Sequence, residues 1–456
     1  MRSRSIKSSK AVHSVSPPCQ DTESRNRSPR ALLLALRPAI ARRYYPSRLC
    51  VLPVSVLLLI ALAHCSPSEK EQAVAKFVET RELMGTFATV TLIANSEETA
   101  LSAAEKAFAA LQDVSTRMNP RSEESEIYAV NEHAHERPVT VGETTFLVLQ
   151  YAREHSRLSG GAFDVTVRPL IKLWKRCAAE GRVPDRGEIE ESRHLVGFEK
   201  VSLDPDRRTI RLRAKGMSID LGAIAKGFAI DRAVDAIRRA GVSEGIVEVG
   251  GDLRCFGMIP SGLIGKEAFI PVNAQRAKPG KQRGGNQKTG SISSILPSGL
   301  LRTDSVPSSI SSVLPSGLLR TDSVPSEDRQ PWPLGLQSPF GEELLGKMRI
   351  QEGAVATSGH YRRHVTIGGK RFSHIIDPRT GWPVELPVSV TVIADDAVTA
   401  DALATAITVL GVDAGMAHAD SLDGVEALIL SGSAEQPEMY KTAGYPRIEP
   451  LNHSRQ

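Results

Sequence analysis

The sequence predicts an α+β fold in which mixed sheets are flanked by helices. Segments with a helical period and segments with the alternating period of a strand are interleaved along the chain. The only tandem repeat has two copies, too few for a solenoid. With 456 residues, 41% hydrophobic and 24% charged, the chain can bury the core of one large or two ordinary domains. This excludes a collagen-like, a wholly disordered or a small disulfide-stapled protein.

Four segments are predicted to be helices from the spacing of their apolar residues. The first covers residues 95–114, with Asn95 as the expected N-cap and Phe108 and Leu111 on its apolar face. The others cover residues 143–158, 227–240 and 399–410. Strands are predicted at residues 209–213, 217–221, 246–249, 331–336, 388–393 and 425–430.

Charge is distributed unevenly along the chain. Residues 1–48 contain eleven Lys and Arg against two acidic residues, a local net charge of +9. The remaining 408 residues carry 46 basic and 50 acidic groups, a net charge of −4. The overall charge of +5 is therefore no argument for nucleic-acid binding.

An apolar stretch follows the basic leader. Residues Cys50–Ala63 are about 14 in number, fewer than the roughly 20 that span a bilayer as a helix, and they fit a signal-peptide core. The stretch ends at Ala63-His64-Cys65, which resembles a bacterial lipoprotein cleavage site with Cys65 as the lipidated residue. His64 departs from that pattern, so ordinary secretory cleavage and a retained anchor stay open. The expected location is the periplasmic face of the bacterial inner membrane, or the periplasm.

The remaining features of the body are two cysteines and one tandem repeat. Cys177 and Cys255 have no CxxC spacing and are expected to be packed as small hydrophobic residues. Residues 291–308 recur at 309–326 with one change, Ile295 to Val313. This Ser-, Pro- and Gly-rich interval, 260–328, is predicted to be a long disordered surface insertion; a partner-binding loop is the alternative.

Four segments carry candidate chemistry: residues 159–166, 218–231, 354–381 and 401–405. Backbone amides at the start of the helix after Ser218 can hold a phosphate, and Lys226 adds a positive charge. The simpler alternative is a lysine on a solvated first turn. His374, just before the Asp-Pro-Arg-Thr-Gly turn, is by itself more typical of a structural histidine.

Asp401 and Thr405 are four residues apart, which places both on one face of a helix. Hard oxygen ligands of this kind suit Mg²⁺, which takes only one or two carboxylates and keeps several waters. The alternative is a helix capped by Thr399 whose first turn carries Asp401 to suit the helix dipole.

In order, these segments resemble the ApbE family, the FAD:protein FMN transferases. The first matching segment begins at Leu83-Met-Gly-Thr, a later one is Val249-Gly-Gly-Asp252, and the last is Val390–Gly411; the resemblance covers about 80–430 apart from the insertion. Each motif is weak alone, and the ordered set is specific. The fold is then expected to be the ApbE-like flavin transferase fold.

The resemblance implies the roles of individual residues. The expected FAD contacts are Met84, Met118, Ala162, Phe163, Asp164, Asp220, Lys226 and Ile376. The expected Mg²⁺ ligands are the Ala223 carbonyl, Asp401 and Thr405, and His374 is the expected catalytic base. Met118 stands where the family has an aromatic residue, so a thioether contact would replace ring stacking on the cofactor.

The implied reaction is Mg²⁺-dependent transfer of FMN from FAD to a threonine hydroxyl, with release of AMP. The expected partner is an exported or membrane electron-transfer protein. An FAD pyrophosphatase and a non-catalytic periplasmic flavin-binding lipoprotein are the alternatives. The expected organisation is a leader and signal peptide (1–65), a linker (66–79), a catalytic domain in two parts (80–259 and 329–445) separated by the insertion (260–328), and a tail (446–456).

Overall fold

The computed structural model of the protein describes residues 73–264, 270–272, 310–313, 317–324, 328–341, 343–359, 364–385 and 389–451. The predicted leader, including Cys65, lies outside the described residues, as do residues 66–72 of the predicted linker and the first copy of the repeat. No helix in the described ranges is both long and apolar enough to cross a membrane.

The described residues contain eight α-helices. They are α1 (Glu97–Met118), α2 (Glu126–His133), α3 (Glu143–Leu158), α4 (Arg168–Ala179), α5 (Arg186–His194), α6 (Ala225–Arg239), α7 (Ala397–Leu410) and α8 (Val412–Asp420).

The strands of the same residues are β1 (Ala75–Leu83), β2 (Thr86–Ala94), β3 (Val139–Thr140), β4 (Val201–Asp204), β5 (Thr209–Leu212), β6 (Gly245–Val249), β7 (Asp252–Phe256), β8 (Ile259–Pro260), β9 (Ile270–Val272), β10 (Ile310–Val313), β11 (Leu319–Thr321), β12 (Arg329–Gln330), β13 (Trp332–Gln337), β14 (Leu344–Ile350), β15 (Gly353–Gly359), β16 (His364–Ile367), β17 (Lys370–Ser373), β18 (Ser389–Ala394), β19 (Glu426–Gly432) and β20 (Pro437–Lys441).

A ten-stranded sheet forms the centre, in the order β10-β11-β1-β2-β6-β7-β15-β18-β19-β20. Its neighbouring strands pair antiparallel. Smaller sheets are β14-β13-β9, β3-β5-β4, β12-β8 and β16-β17. The combination of helices and largely antiparallel sheets confirms the predicted α+β class.

Both faces of the central sheet are covered, because alternate residues of a strand point to opposite faces. In β6, Val247 packs in the cluster that contains residues of α1, α6 and α7. Its neighbour Ile246 packs in the cluster on the other face, with Trp332 and Leu334 of β13. The body therefore has three layers: helices, the ten-stranded sheet, and the β14-β13-β9 sheet.

The four predicted helices are confirmed, with differences of up to four residues at their ends. Helix α3 has the predicted bounds, 143–158. Helix α1 is capped by Ser96, whose hydroxyl accepts from the Thr99 amide at 3.2 Å, so the predicted Asn95 cap is wrong. Ser96 has the extended backbone (φ −139°, ψ 149°) that an N-cap needs.

Helix α7 shows the same kind of difference. Asp396 is its N-cap, and its Oδ1 accepts from the Thr399 amide at 2.9 Å. Thr399 is therefore inside the first turn, and the alternative that it caps the helix is wrong.

Residues 217–221 belong to no strand of the described sheets, so this predicted strand is wrong. The side chain of Asn131 takes the place of a neighbouring strand: its Oδ1 accepts from the Ile219 amide at 2.6 Å, and its Nδ2 donates to the Ile219 carbonyl at 3.0 Å. The predicted strand at 331–336 is confirmed as β13.

Part of the interval predicted to be an insertion lies in the central sheet. Strand β11 pairs with β1 through Phe77 and Arg320. Leu318 is fully buried, and the Thr321 hydroxyl accepts from the Lys76 amide at 3.0 Å. Apolar burial and main-chain pairing thus order residues 317–324, although they belong to the second copy of the repeat.

The two cysteines of the body, Cys177 and Cys255, are free and buried, as predicted. Burial raises the pKa of the Cys255 thiol, which makes it unreactive at neutral pH.

Helices α6 and α7 touch at Gly227. A Cβ at this position would lie 2.0 Å from the Ala397 carbonyl oxygen and 2.9 Å from the Asp401 Cβ. Neither atom is the end of a flexible side chain, so a backbone would have to move to admit it. Only glycine permits this approach.

We predict that Gly227→Ala lowers the free energy of unfolding by about 1–3 kcal/mol, the usual cost of overpacking a core. Denaturant unfolding measures this. Gly187→Ala is the matched control, because Gly187 is exposed in α5 and a Cβ there meets only the Asp185 Oδ1, at 3.2 Å. The control is expected to be neutral or slightly stabilising. A Gly227→Ala variant as stable as the wild type would contradict the close contact.

Candidate functional site

Two buried carboxylates and the half-buried ammonium of Lys226 meet where α6, β7 and α7 come together. Lys226 Nζ forms an ion pair with Asp252 Oδ2 and lies 3.2 Å from Asp401 Oδ1. Asp252 is 3% exposed and Asp401 5% exposed, so Lys226 is not a solvated first-turn lysine. With all three groups ionised, one ammonium faces two carboxylates and the cluster has a net charge of −1.

The first turn of α6 binds the second oxygen of Asp401. The Gly227 amide donates to Asp401 Oδ2 at 3.1 Å. Gly227 is the third residue of α6, and the amides of a helix's first turn have no partner within the helix. Helix α6 begins only at Ala225, and among the described residues the Ala223 carbonyl accepts no backbone hydrogen bond. Its oxygen is therefore available as a ligand.

Thr405 lies one turn after Asp401 on α7, as the spacing predicts. Its hydroxyl is 3.2 Å from the Ser358 hydroxyl at the end of β15. Within the described ranges, no group of three or more His, Cys, Asp or Glu is placed to hold a metal ion. The oxygens expected to bind a metal are the Asp401 carboxylate, the Thr405 hydroxyl and the Ala223 carbonyl, all hard donors. This set fits Mg²⁺, which completes its coordination with water.

A second group of hydrogen bonds, centred on Asp231, joins α6 and β7 to the start of α7. Asp231 of α6 accepts from the Ala397 amide at 2.9 Å and the Val398 amide at 2.8 Å. Arg254 of β7 donates to the same carboxylate at 2.7 Å. Burial raises the pKa of Asp231 to about 6. The network positions Asp401 and Thr405, because both are carried by α7.

The segment before α4 is held in place by hydrogen bonds to the Asp164 carboxylate. Ala162 and Phe163 are buried. Asp164 Oδ1 accepts from the amide and hydroxyl of Thr166, at 2.8 and 2.6 Å, and Oδ2 accepts from the Phe198 amide at 2.8 Å. Burial raises the pKa of the Asp164 carboxyl. These bonds give Asp164 a clear part in shaping the loop, and its predicted contact with FAD stays a prediction.

Asp220 joins this segment to the start of α6. Its amide donates to the Val165 carbonyl at 2.8 Å. Its Oδ1 accepts from the Gly222 amide at 2.9 Å, and Arg168 Nη1 lies 3.4 Å from Oδ2. The structure therefore brings together the two glycine-containing segments that the sequence analysis singled out, and adds Arg168, which it missed.

The turn that carries Met84 lies against the turn that precedes Asp252. Met84 is half-buried and has a left-handed backbone, φ +53°. The Gly250 amide donates to the Phe87 carbonyl at 3.0 Å. A Cβ at Gly250 would lie 3.0 Å from Thr86 atoms. Met118, by contrast, ends α1 and is buried in the core cluster between helices and sheet.

His374 follows β17 and is exposed, whereas Ile376 is buried and bridges to Pro383. The loop after them is held on α4, because Trp174 Nε1 donates to the Gly381 carbonyl at 2.9 Å. Since α4 begins at Arg168, the same helix contacts the His374 loop and Asp220.

A cleft of about 720 Å³ opens beside the β16–β17 hairpin. It is lined by Pro339, Phe340, His364, Lys370, Arg371, Phe372, Ser373, Pro383, Val384, Glu385, Gly432 and Ser433. The volume is in the range of small-molecule sites. None of the residues expected to contact FAD lines it, although Ser373 precedes His374 and Pro383 pairs with Ile376.

Comparison with known proteins places the chain in a family. The model of the ApbE family matches residues 84–297 and 315–429. The unmatched stretch between them lies within the tandem repeat and is nearly as long as one copy.

Relatives and solved structures agree with this match. An FAD:protein FMN transferase of Klebsiella pneumoniae is 27% identical over 311 residues, which covers 68% of this chain and 75% of that protein. One of Treponema pallidum is 26% identical over 386 residues, or 83% and 90% of the two chains. The ApbE protein of Thermotoga maritima shares the fold with a TM-score of 0.59 and 26% identity, over 81% of this chain and 97% of that one. Because the family model matches more than half of the sequence, the chain belongs to the ApbE family.

Proposed function

We propose that this protein transfers FMN from FAD to a threonine hydroxyl of an exported or membrane electron-transfer protein, with Mg²⁺ as cofactor and AMP as the second product. That it is an FAD:protein FMN transferase follows from its family and its relatives. The metal, the threonine acceptor, the release of AMP and the partner are the parts proposed.

The observation that carries the proposal is the cluster of oxygen donors around Asp401. The net negative charge of the Lys226, Asp252 and Asp401 cluster favours a cation, and the free Ala223 carbonyl and Thr405 hydroxyl provide neutral ligands. Bound Mg²⁺ would polarise the pyrophosphate oxygens of FAD.

The chain's own groups contribute binding and charge neutralisation, which phosphoryl transfer needs more than covalent catalysis. Lys226 carries a positive charge at the start of α6, where backbone amides also favour an anion. Met84, Ala162, Phe163, Asp164, Asp220 and Ile376 are proposed to hold FAD, with Met118 at the position that the family fills with an aromatic residue.

His374 is proposed to accept the proton of the threonine hydroxyl. The hydroxyl oxygen then bonds to the phosphorus on the FMN side, the bond to the AMP oxygen breaks, and AMP leaves. His374 is exposed, so an acceptor protein can reach it.

Export and anchoring rest on the sequence alone. We propose that Cys65 is lipidated and holds the enzyme at the periplasmic face of the inner membrane. This location would place it beside membrane respiratory subunits, the class of acceptor proposed.

To test the proposal, the purified full-length chain is incubated with FAD and a threonine-bearing acceptor peptide, with and without Mg²⁺. In the presence of Mg²⁺, the expected result is release of AMP and a peptide heavier by the mass of FMN less one water. Neither product is expected without Mg²⁺. Release of AMP and free FMN, with no label on any of several acceptor peptides tried, would favour a pyrophosphatase. FAD bound but unchanged would favour a flavin-binding protein.

We predict that Asp401→Asn reduces Mg²⁺-dependent turnover more than about 100-fold, because an ion–ligand contact worth several kcal/mol is lost. The amide oxygen of Asn can still accept from the Gly227 amide, so the fold should be kept. AMP release against Mg²⁺ concentration measures the effect. Asp423→Asn, an exposed carboxylate in a loop, is the control. Undiminished turnover would remove Asp401 from the metal site.

We predict that His374→Ala binds FAD as the wild type does but transfers FMN about 10²–10⁴-fold more slowly, the range for losing a general base. Flavin fluorescence measures FAD binding, and peptide mass measures transfer. His133→Ala, an exposed histidine at the end of α2, should leave both unchanged. Full transfer by His374→Ala would exclude His374 from the mechanism.

A further inference from the structure

Asp252 is the member of the charge cluster to which the function proposed above gives no role beyond its share of the net charge. It is the first residue of β7 and follows the Gly250-Gly251 turn. Its Oδ1 accepts from the Thr357 amide of β15 at 3.1 Å, and its Oδ2 is ion-paired with Lys226. The carboxylate is thus fixed to the sheet on one side and holds the ammonium on the other.

We propose that Asp252 is a positioning residue for the cation site: it anchors the Lys226 ammonium so that Asp401 Oδ1 stays available to the metal. The inference rests on the proposed function, because it assumes a cation at Asp401.

The charges of the cluster give Asp252 this role. Lys226 is within ion-pair distance of both carboxylates. Without the charge of Asp252, the Lys226 ammonium would have Asp401 as its one anionic partner in the cluster and would neutralise it. A cation would then have to displace a largely buried ion pair, which is costly to break. With Asp252 present, the cluster keeps a net charge of −1 for the cation to neutralise.

Asp252→Asn tests this with little change of shape. The Asn Oδ1 can still accept from the Thr357 amide, while its Nδ2 cannot accept from Lys226. The cluster changes from a net charge of −1 to zero. The double variant Asp252→Asn with Lys226→Met returns the net charge to −1, because both members of the pair are lost.

The measurement is the binding of Mn²⁺, a paramagnetic hard cation that oxygen sites accept in place of Mg²⁺, followed by electron paramagnetic resonance on the full chain without FAD. We expect the Mn²⁺ dissociation constant to rise about 10–100-fold in Asp252→Asn, as for other residues that support metal ligands. In the double variant it should return close to the wild-type value. Asp423→Asn is the control for the loss of an exposed carboxylate.

Three results would overturn the proposal. Wild-type affinity in Asp252→Asn would show that the anchor is unnecessary. Weak binding in both variants would show that Asp252 acts on the metal directly rather than through Lys226. No Mn²⁺ binding by the wild type would remove the metal from the proposed function itself, a failure distinct from the other two.

A thermal melt without metal establishes that each variant is folded. If Asp252→Asn does not fold, Lys226→Met alone keeps the inference testable. It leaves both carboxylates facing the ion, so it should bind Mn²⁺ at least as tightly as the wild type. Weaker binding would contradict the idea that Lys226 and the cation compete for Asp401.

Discussion

The contact of α6 with α7 at Gly227 is the constraint on which the candidate site depends. Because Gly227 has no side chain, the Asp401 carboxylate reaches the amides at the start of α6 and accepts from the Gly227 amide. A carboxylate at a helix N-terminus is favoured by the helix dipole. The close approach of two helices therefore positions Asp401 beside the Ala223 carbonyl's end of α6, and among the described residues that carbonyl accepts no backbone hydrogen bond.

Buried charge is the second determinant, since a carboxylate removed from water needs partners. Asp231 obtains them from Arg254 and two amides of α7, while Asp252 and Asp401 share Lys226. The first cluster is fully compensated, and the second is not. Removing one partner of a buried ion pair costs about 3–5 kcal/mol because the other charge stays buried. The compensated cluster thus supports the fold, and the uncompensated one is suited to a ligand.

Much of the fold could be predicted from the sequence because helical and strand periods extend over many residues. The bounds of α3 and the existence of α1, α6 and α7 follow from such periods. Caps could not be resolved, because Asn95 and Ser96 are neighbours with similar capping preference and only the backbone angles decide between them. The strand predicted at 217–221 is absent because the main chain of Ile219 bonds to the Asn131 side chain instead of to another strand, and no local pattern reveals this partner.

The residues of the candidate site also differ in how far the sequence could predict them. Asp401 and Thr405 could be related from the sequence because a helix places residues four apart on one face. Asp252 and Arg254 are two residues apart on β7, so both side chains point to one face of the strand. That spacing alone does not predict their partners, because these lie on α6. Lys226 and Asp231 then meet Asp252 and Arg254, respectively. The local spacing thus relates the two proposed ligands on α7, whereas the register between β7 and α6 decides that Lys226 pairs with Asp252 and Arg254 with Asp231.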